Sequence, residues 1–273
     1  MLNIMKIRIA VVQFKTRELL PENNLEYAEK FIKTASKSRA DLIVFPEVFL
    51  SRNCSLEKKF IISDKNCLSK IKELSKKYSI SILAGSIIEL YNGKKYNTTY
   101  YFDANGKVRG KYRKEHLWST EKRLIKRGRH ITIINTKHGR IGLIICWDLI
   151  FPEIFRALKK KGVELILCPA NWSYQDAGEG LKYDKNSEVK AVNSLCVERA
   201  FEEEIILVFC NTAGKSLDGR NNSVGCSQIT EPFKGVIKRL NHNKEEMFIQ
   251  EIDTKILKDA EKAYEIRRDL FRK

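Results

Sequence analysis

Proline is scarce in this chain: five in 273 residues, with no Gly/Ser-rich stretch beside them. A tether between domains needs such punctuation, so residues 1–273 read as one domain. Histidine is scarcer still, with four, and none falls in an HxxxH or HExxH spacing. The seven cysteines (54, 67, 146, 168, 196, 210 and 226) are odd in number and include no CxxC pair. That pattern argues against a zinc site and against a disulfide scaffold, so no metal or cofactor is expected and reduced thiols suit a cytoplasmic protein. Long apolar runs are missing too. In the N-terminal stretch MLNIMKIRIAVVQF the longest unbroken one is 9–12, too short for a signal-peptide core or a membrane span. Acid is in deficit, with 34 Asp and Glu against 51 Lys and Arg and a formal charge of +17. Such an excess favours acidic partners when it lies on one face. Here it runs along the amphipathic segments, with short clusters at 107–114, 122–129 and 159–161 and no recognised nucleic-acid motif. Solvated lysine faces are expected, and no nucleic-acid partner.

Apolar runs rich in β-branched residues alternate with segments of helical period. Strands are expected at 6–14, 41–45, 80–90, 96–103, 130–135, 140–146, 163–169, 205–211 and 247–252. Leu25, Ala28, Phe31, Ile32 and Ala35 mark one helical face, and Leu68, Ile71, Leu74 and Tyr78 another. Further helices are expected at 152–161, 187–204 and 255–268, with turns at Asn92-Gly93 and Asn105-Gly106. Continuous apolar strands such as LIVF, GLIIC, ELILC and IILVFC call for cover on both faces, hence an α/β fold with helices packed over sheets.

Four strands run into a polar or reactive residue: Glu47, Cys146, Asn171 and Asn211. In layered α/β folds the carboxyl ends of strands gather along one edge, where ligands bind. Cys168 and Cys210 also end apolar strands and read as core. Cys146 differs in its downstream neighbours, because Trp147-Asp148 and Pro152-Glu153 suggest a tight turn into a helix. Backbone N–H groups there would lower the thiol pKa and hold an oxyanion, as at a nucleophile elbow. A thiol nucleophile needs a base. His116 or His138 could serve, and so could Glu47, whose FPEVF setting would raise its pKa toward neutrality.

Three segments, FPE at 45–47, YRKEHL at 112–117 and RIGLIICWDLIFPE at 140–153, resemble in order and spacing the three signatures of the nitrilase superfamily of carbon–nitrogen hydrolases, amidase-like branch. The likeness extends to IRIAVVQF, ELILCPANW, GCSQITEPFKGVI and RRDLF, nearly the whole chain. It implies a four-layer αββα sandwich, paired through its helical face into a homodimer or larger assembly. It implies that Glu47 is the general base, Lys114 the cationic member of a triad and Cys146 the nucleophile. Glu121 would position substrate or lysine, the Trp147 N–H would hold the oxyanion, and Asn171 and Trp172 would line the pocket. His116 becomes structural. The substrate implied is a small linear amide, with a carbamoyl compound or a nitrile as rivals. The pattern departs at RAFEEE, which keeps Arg199, Ala200 and Glu202 but has Glu203 where many members carry asparagine. It departs again at Val192, near a common tryptophan, and in the loop 173–188. A catalytically silent, basic nucleic-acid-binding relative is the alternative of another class, supported by the 122–129 cluster.

Overall fold

Alternation in IRIAVVQ decides how the first strand, β1 (Lys6–Gln13), is used. Ile7, Ile9 and Val11 enter one hydrophobic core, Ala10 and Val12 another, because successive side chains of a strand point to opposite sides. The computed structural model describes residues 6–17, 20–52 and 56–271, so Cys54 and the first five residues lie outside the description. After β1 come α1 (Pro21–Lys37), β2 (Leu42–Val44), α2 (Lys58–Lys77), β3 (Ser81–Leu83), β4 (Ile87–Tyr91), β5 (Lys94–Phe102) and β6 (Val108–Arg113). The short α3 (Glu121–Leu124) leads to β7 (Thr132–Thr136), β8 (Gly139–Leu143), α4 (Pro152–Lys160), β9 (Leu165–Ala170), α5 (Ser187–Glu202) and β10 (Ile206–Asn211). β11 (Gln228–Glu231), β12 (Gly235–Arg239), β13 (Glu246–Asp253), α6 (Lys255–Tyr264) and α7 (Ile266–Phe271) close the chain.

The strands form two sheets. One runs β13-β1-β2-β3-β5-β4, with β6 on the other edge of β5, and the second runs β12-β11-β10-β9-β8-β7. Inner faces meet in a core shared by Val11, Val44 and Leu83 from the first sheet and Leu143, Leu167 and Val208 from the second. Leu25, Ala28, Ile32 and Ala35 of α1, with Cys67, Ile71 and Leu74 of α2, cover the first sheet's outer face. Phe155 and Leu158 of α4, with Val192 and Cys196 of α5, join the core on the second sheet's outer side. The result is the four-layer αββα sandwich. Each fully buried aliphatic or aromatic side chain contributes about 1.5–3 kcal/mol. β1, β2 and β3 are parallel, as are β8, β9 and β10, so their carboxyl ends lie at one end of each sheet.

The differences from the expected elements have local causes. The run expected at 80–90 breaks into β3 and β4 at Gly85, whose φ of +54° turns the chain beside Pro46. The basic segment 107–114 contains β6, which buries Gly110 and Tyr112 and exposes the residues between. β11 and β12 are additional strands. The helix expected at 255–268 divides at Glu265, whose φ is +52°. The positive charge is also less dispersed than expected. Lys111 and Arg113 of the first cluster and Lys126, Arg127 and Arg129 of the second line one groove.

Candidate active site

Chain geometry brings the loops after β2, β6, β8 and β9 to a single cavity of about 260 Å³. Glu47 follows β2, and its N–H donates to the Ala170 carbonyl across the two sheets at 3.3 Å. Gly85 permits this arrangement, since a Cβ there would lie 2.0 Å from the Pro46 carbonyl oxygen. Lys114 follows β6 and is pinned on both sides: its N–H donates to Asn97 O at 2.8 Å and its carbonyl accepts from Gly128 N–H at 2.7 Å. Cys146 opens the 3-10 segment Cys146–Ile150 directly beyond β8, with a φ of +47°. A left-handed conformation in a non-glycine residue is strained and persists only where its surroundings hold it.

Those surroundings are explicit. The fully buried Asp148 carboxylate accepts from Ile145 N–H (2.9 Å), Tyr112 Oη (2.8 Å) and His116 N–H (2.8 Å), and lies 2.8 Å from His116 Nδ1. Arg199 donates to the carbonyls of Leu149 and Ile150 and pairs with Glu202. Asp148 thus ties the Cys146 turn to the segment carrying Lys114, and the retained part of RAFEEE braces its far end.

Inside the cavity Lys114 Nζ stands 2.9 Å from Glu47 Oε1 and 2.9 Å from Glu121 Oε2. Asn97 Nδ2 donates to both carboxylates, at 2.7 Å to Glu47 and 3.1 Å to Glu121. Asn171 N–H donates to Glu47 Oε2 at 2.9 Å, and Cys146 lines the same cavity. Trp118, Trp147 and Trp172 form one wall, with ring centroids 4.1 and 5.5 Å apart in succession. Asn171 and Trp172 line the cavity. Asn211 does not, but its side-chain oxygen accepts from Trp172 N–H at 2.8 Å from behind.

Burial governs the titration of these groups. It pushes Glu47 up, with Glu121 adding to the effect and Lys114 opposing it. Burial alone would lower Lys114, but Glu47, Glu121 and Cys146 outweigh it and hold the ammonium well above its ordinary range. For Glu121 burial acts upward and Lys114 wins, leaving that carboxyl below its usual value. The expectation of a lowered Cys146 pKa is overturned. Burial and the neighbouring Glu47 charge raise it well above the ordinary thiol, despite Lys114 and the Asn171 N–H.

Neither His116 nor His138 lines the cavity, which leaves the cysteine–histidine reading without a base in place. The His116 ring stacks on Phe151 at 3.8 Å, and His138 Nδ1 lies 3.0 Å from the Lys6 carbonyl. Among the described residues no group of three or more His, Cys, Asp or Glu is arranged to hold a metal ion. Sequence reasoning missed Asn97, Asp148, Arg52 and Asp176. Asp148, a carboxylate just beyond an apolar strand, is a detectable signal of a buried partner, whereas Asn97 lies in the polar run KKYNTTYYF and is not set apart from its neighbours. Arg52 and Asp176 gave none.

The family model for carbon–nitrogen hydrolases matches residues 8–262. The chain belongs to this family. This carbon–nitrogen hydrolase is 31% identical over 270 residues to C965.09 of Schizosaccharomyces pombe, named a probable nitrilase, with 95% of this chain and 93% of the relative covered. It is 28% identical over 276 residues to the 2-oxoglutaramate amidase of Bacillus subtilis, covering 98% and 100%. The crystal structure of Saccharomyces cerevisiae Nit3, a member of branch 10 of the nitrilase superfamily, superposes with a TM-score of 0.81 at 26% identity over 95% and 94% of the two chains. The chain is an amidase-type hydrolase. Among the described residues no helix is long and apolar enough to cross a membrane.

Proposed function

We propose that the hydrolase cleaves a small linear amide through Glu47, Lys114 and Cys146 with a thioester intermediate. The observation that carries this is the meeting of a carboxylate, an ammonium and a thiol from three distant loops in one buried cavity, with Lys114 Nζ 2.9 Å from Glu47. Because burial holds the thiol neutral, its proton moves to Glu47 as Sγ attacks the amide carbon. The carbonyl electron pair becomes an oxyanion between the Lys114 ammonium and the Trp147 N–H. Glu47 returns the proton to the departing nitrogen, the carbon–nitrogen bond breaks and the acyl group remains on sulfur. Water, losing a proton to Glu47, then attacks the thioester and frees the acid and the thiol. Glu121 and Asn97 keep Lys114 and Glu47 in register.

Cavity chemistry favours a substrate with an anionic group at the end remote from the amide. Arg52 lines the cavity and is 2% exposed, and its acceptors are the carbonyls of Ala213, Gly214 and Lys215. Among the described residues no carboxylate lies within ion-pair distance of it, its Nε has no hydrogen-bond partner, and burial lowers its pKa to about 10. Asp218 and Asp176 act on Arg52 only through space and do not outweigh burial, so a substrate carboxylate would supply the direct partner that Arg52 has none of, as in the class named by the Bacillus subtilis relative. Charge-assisted bonds contribute about 1.5–3 kcal/mol. Arg52→Lys or Arg52→Met is therefore expected to lower kcat/KM for dicarboxylic monoamides by about 10- to 100-fold, with neutral amides within about threefold. Equal losses on both would remove this part of the proposal.

Intact-protein mass spectrometry after incubation with amides, carbamoyl compounds and nitriles tests the chemistry itself. An acyl adduct on Cys146 from amides, absent in Cys146→Ala together with ammonia release, is expected. Turnover that persists in Cys146→Ala would end the proposal, and adducts from carbamoyl compounds or nitriles alone would replace its substrate.

A further inference from the structure

Strand β5 serves two sides. Asn97 points into the cavity, while Lys94, Tyr96, Thr98 and Tyr100 belong to the opposite face. Registry places Tyr91 opposite Lys94 and Glu89 opposite Tyr96 on β4, and Arg113 opposite Thr98 and Lys111 opposite Tyr100 on β6. The face is therefore an interleaved set of basic and aromatic side chains. Arg113 lies 4.5 Å from the Tyr91 ring centroid and 4.1 Å from that of Tyr96, and Lys111 5.3 Å from that of Tyr100. A second wall is the segment 126–130, fixed by Lys126 N–H donating to Lys95 O at 2.8 Å and by Gly128. A Cβ at Gly128 would stand 2.1 Å from the Arg113 carbonyl oxygen, so this close approach requires glycine.

Between the walls lies a groove of about 660 Å³, larger than the active-site cavity, lined by six lysines and arginines (94, 111, 113, 126, 127 and 129). Two carboxylates oppose them. Glu89 pairs with Lys111 and Arg113 from beneath, and Glu115 lies 3.6 Å from Arg127. Lys94, Lys126 and Arg129 make no ion pair among the described residues and are exposed. Tyr91 is half-exposed. Surplus cations along a groove, alternating with ring faces on an antiparallel sheet, are the physical requirements for a flexible strand of phosphates and bases.

We propose that this groove binds single-stranded nucleic acid, with phosphates against Lys94, Lys126, Arg127 and Arg129 and bases against Tyr91 and Tyr96. The site is separate from the hydrolase chemistry and does not depend on it. Neither cationic stretch contains a nucleic-acid motif, and folding alone brings them together.

Fluorescence anisotropy of the full chain with labelled twelve-nucleotide oligo(U) and oligo(dT) tests the assignment. Binding is expected to weaken on the order of 10²-fold between 50 and 200 mM salt, since each phosphate contact on a single strand contributes about −0.7 to the log–log slope. The triple variant Lys94, Lys126 and Arg129→Gln should reduce that slope by about 2. Tyr91→Ala and Tyr96→Ala should each weaken binding by about 5- to 100-fold, the range of a lost base stack. Retained amidase activity in each variant would show that the fold is intact. As a control, Lys33, Lys37 and Lys65→Gln removes three exposed lysines from the α1–α2 layer. Three results overturn the proposal: no measurable binding at 50 mM salt, an equal loss in the control variant, or tyrosine variants that bind as tightly as the parent. Competition by inorganic polyphosphate as effective per phosphate as oligo(U) would likewise reassign the groove to bare polyanions.

Discussion

At the residue scale, two carboxylates share one ammonium. Like charges in a common site cannot both ionise freely, and the more buried one titrates higher. Glu47 is that one, and the Glu121 charge is among the causes that push it up. In Glu121→Gln this contribution disappears, so Glu47 should lose its proton at lower pH. If Glu47 carboxylate is the base in the free enzyme, the acid limb of the kcat/KM profile should move to lower pH. kcat should fall by about 10- to 100-fold as Lys114 loses a tether, less than the 10²–10³ typical of losing a charge-stabilising donor outright. A pH–rate series on the variant measures both. An acid limb that stays in place or moves to higher pH would mean that Glu47 does not set it. FPE, YRKEHL and CWD point from sequence to three groups that line one cavity because each motif contains the side chain concerned. Asn97 carries no such label. Its role exists only because β5 passes between Glu47 and Glu121, and Cys146's raised pKa was misjudged because burial depends on the whole surrounding shell.

Between single residues and the molecule are the contacts that hold elements together, and here α2 is instructive. Asp64 sits on its buried face beside Cys67 and accepts from Ser51 Oγ at 2.8 Å, linking α2 to the loop that continues from Glu47. Its second oxygen has no hydrogen-bond partner, and burial raises its pKa from 3.8 to about 7. Between those values the folded protein keeps a proton that the unfolded chain has lost, so stability must fall as pH rises, the reverse of a salt-bridged carboxylate. Above about pH 7 the penalty is complete and amounts to at most about 4 kcal/mol. Asp64→Asn keeps an acceptor for Ser51 and removes the penalty. It should stabilise the protein by up to that amount at pH 8, with the gain shrinking toward zero near pH 4. Denaturant unfolding at several pH values checks this, and a gain independent of pH would refute it. Elements whose apolar period was clear, α1 and β8 among them, were legible within a few residues. β6 was not, because the exposed positions of an edge strand in a basic stretch resemble a solvated loop. Nor was the break between β3 and β4, which answers to Pro46 approaching from another part of the chain.

For the molecule as a whole, alternating apolar runs pointed to covered sheets, while the pairing of two sheets face to face came only from the family resemblance. Registry between distant strands such as β1 and β13 has no local sequence signal. The outer layer leaves one apolar area uncovered. Phe201 at the end of α5, Phe233 before β12 and Tyr264 closing α6 are 46%, 48% and 42% exposed, and the Tyr264 ring lies 5.2 and 5.1 Å from the other two. Grouped aromatics on a surface are otherwise disfavoured and mark contact sites. The pairing through the helical face that the family resemblance implies would cover them with a second copy of the chain, about a two-fold axis so that each cluster meets its own image. A stable pair needs roughly 1,200–2,000 Å² buried in total, and central aromatic anchors typically contribute about 2 kcal/mol or more apiece. Phe201→Lys with Tyr264→Lys should therefore raise the dissociation constant by at least about 10²-fold. Light scattering behind size-exclusion chromatography at micromolar concentration would then show twice the chain mass for the parent and the single-chain mass for the variant. Phe201 and Tyr264 do not line the active-site cavity, so the separated variant should retain its amidase activity. A parent that already elutes as a single chain, or a variant that stays paired, would place the contact elsewhere.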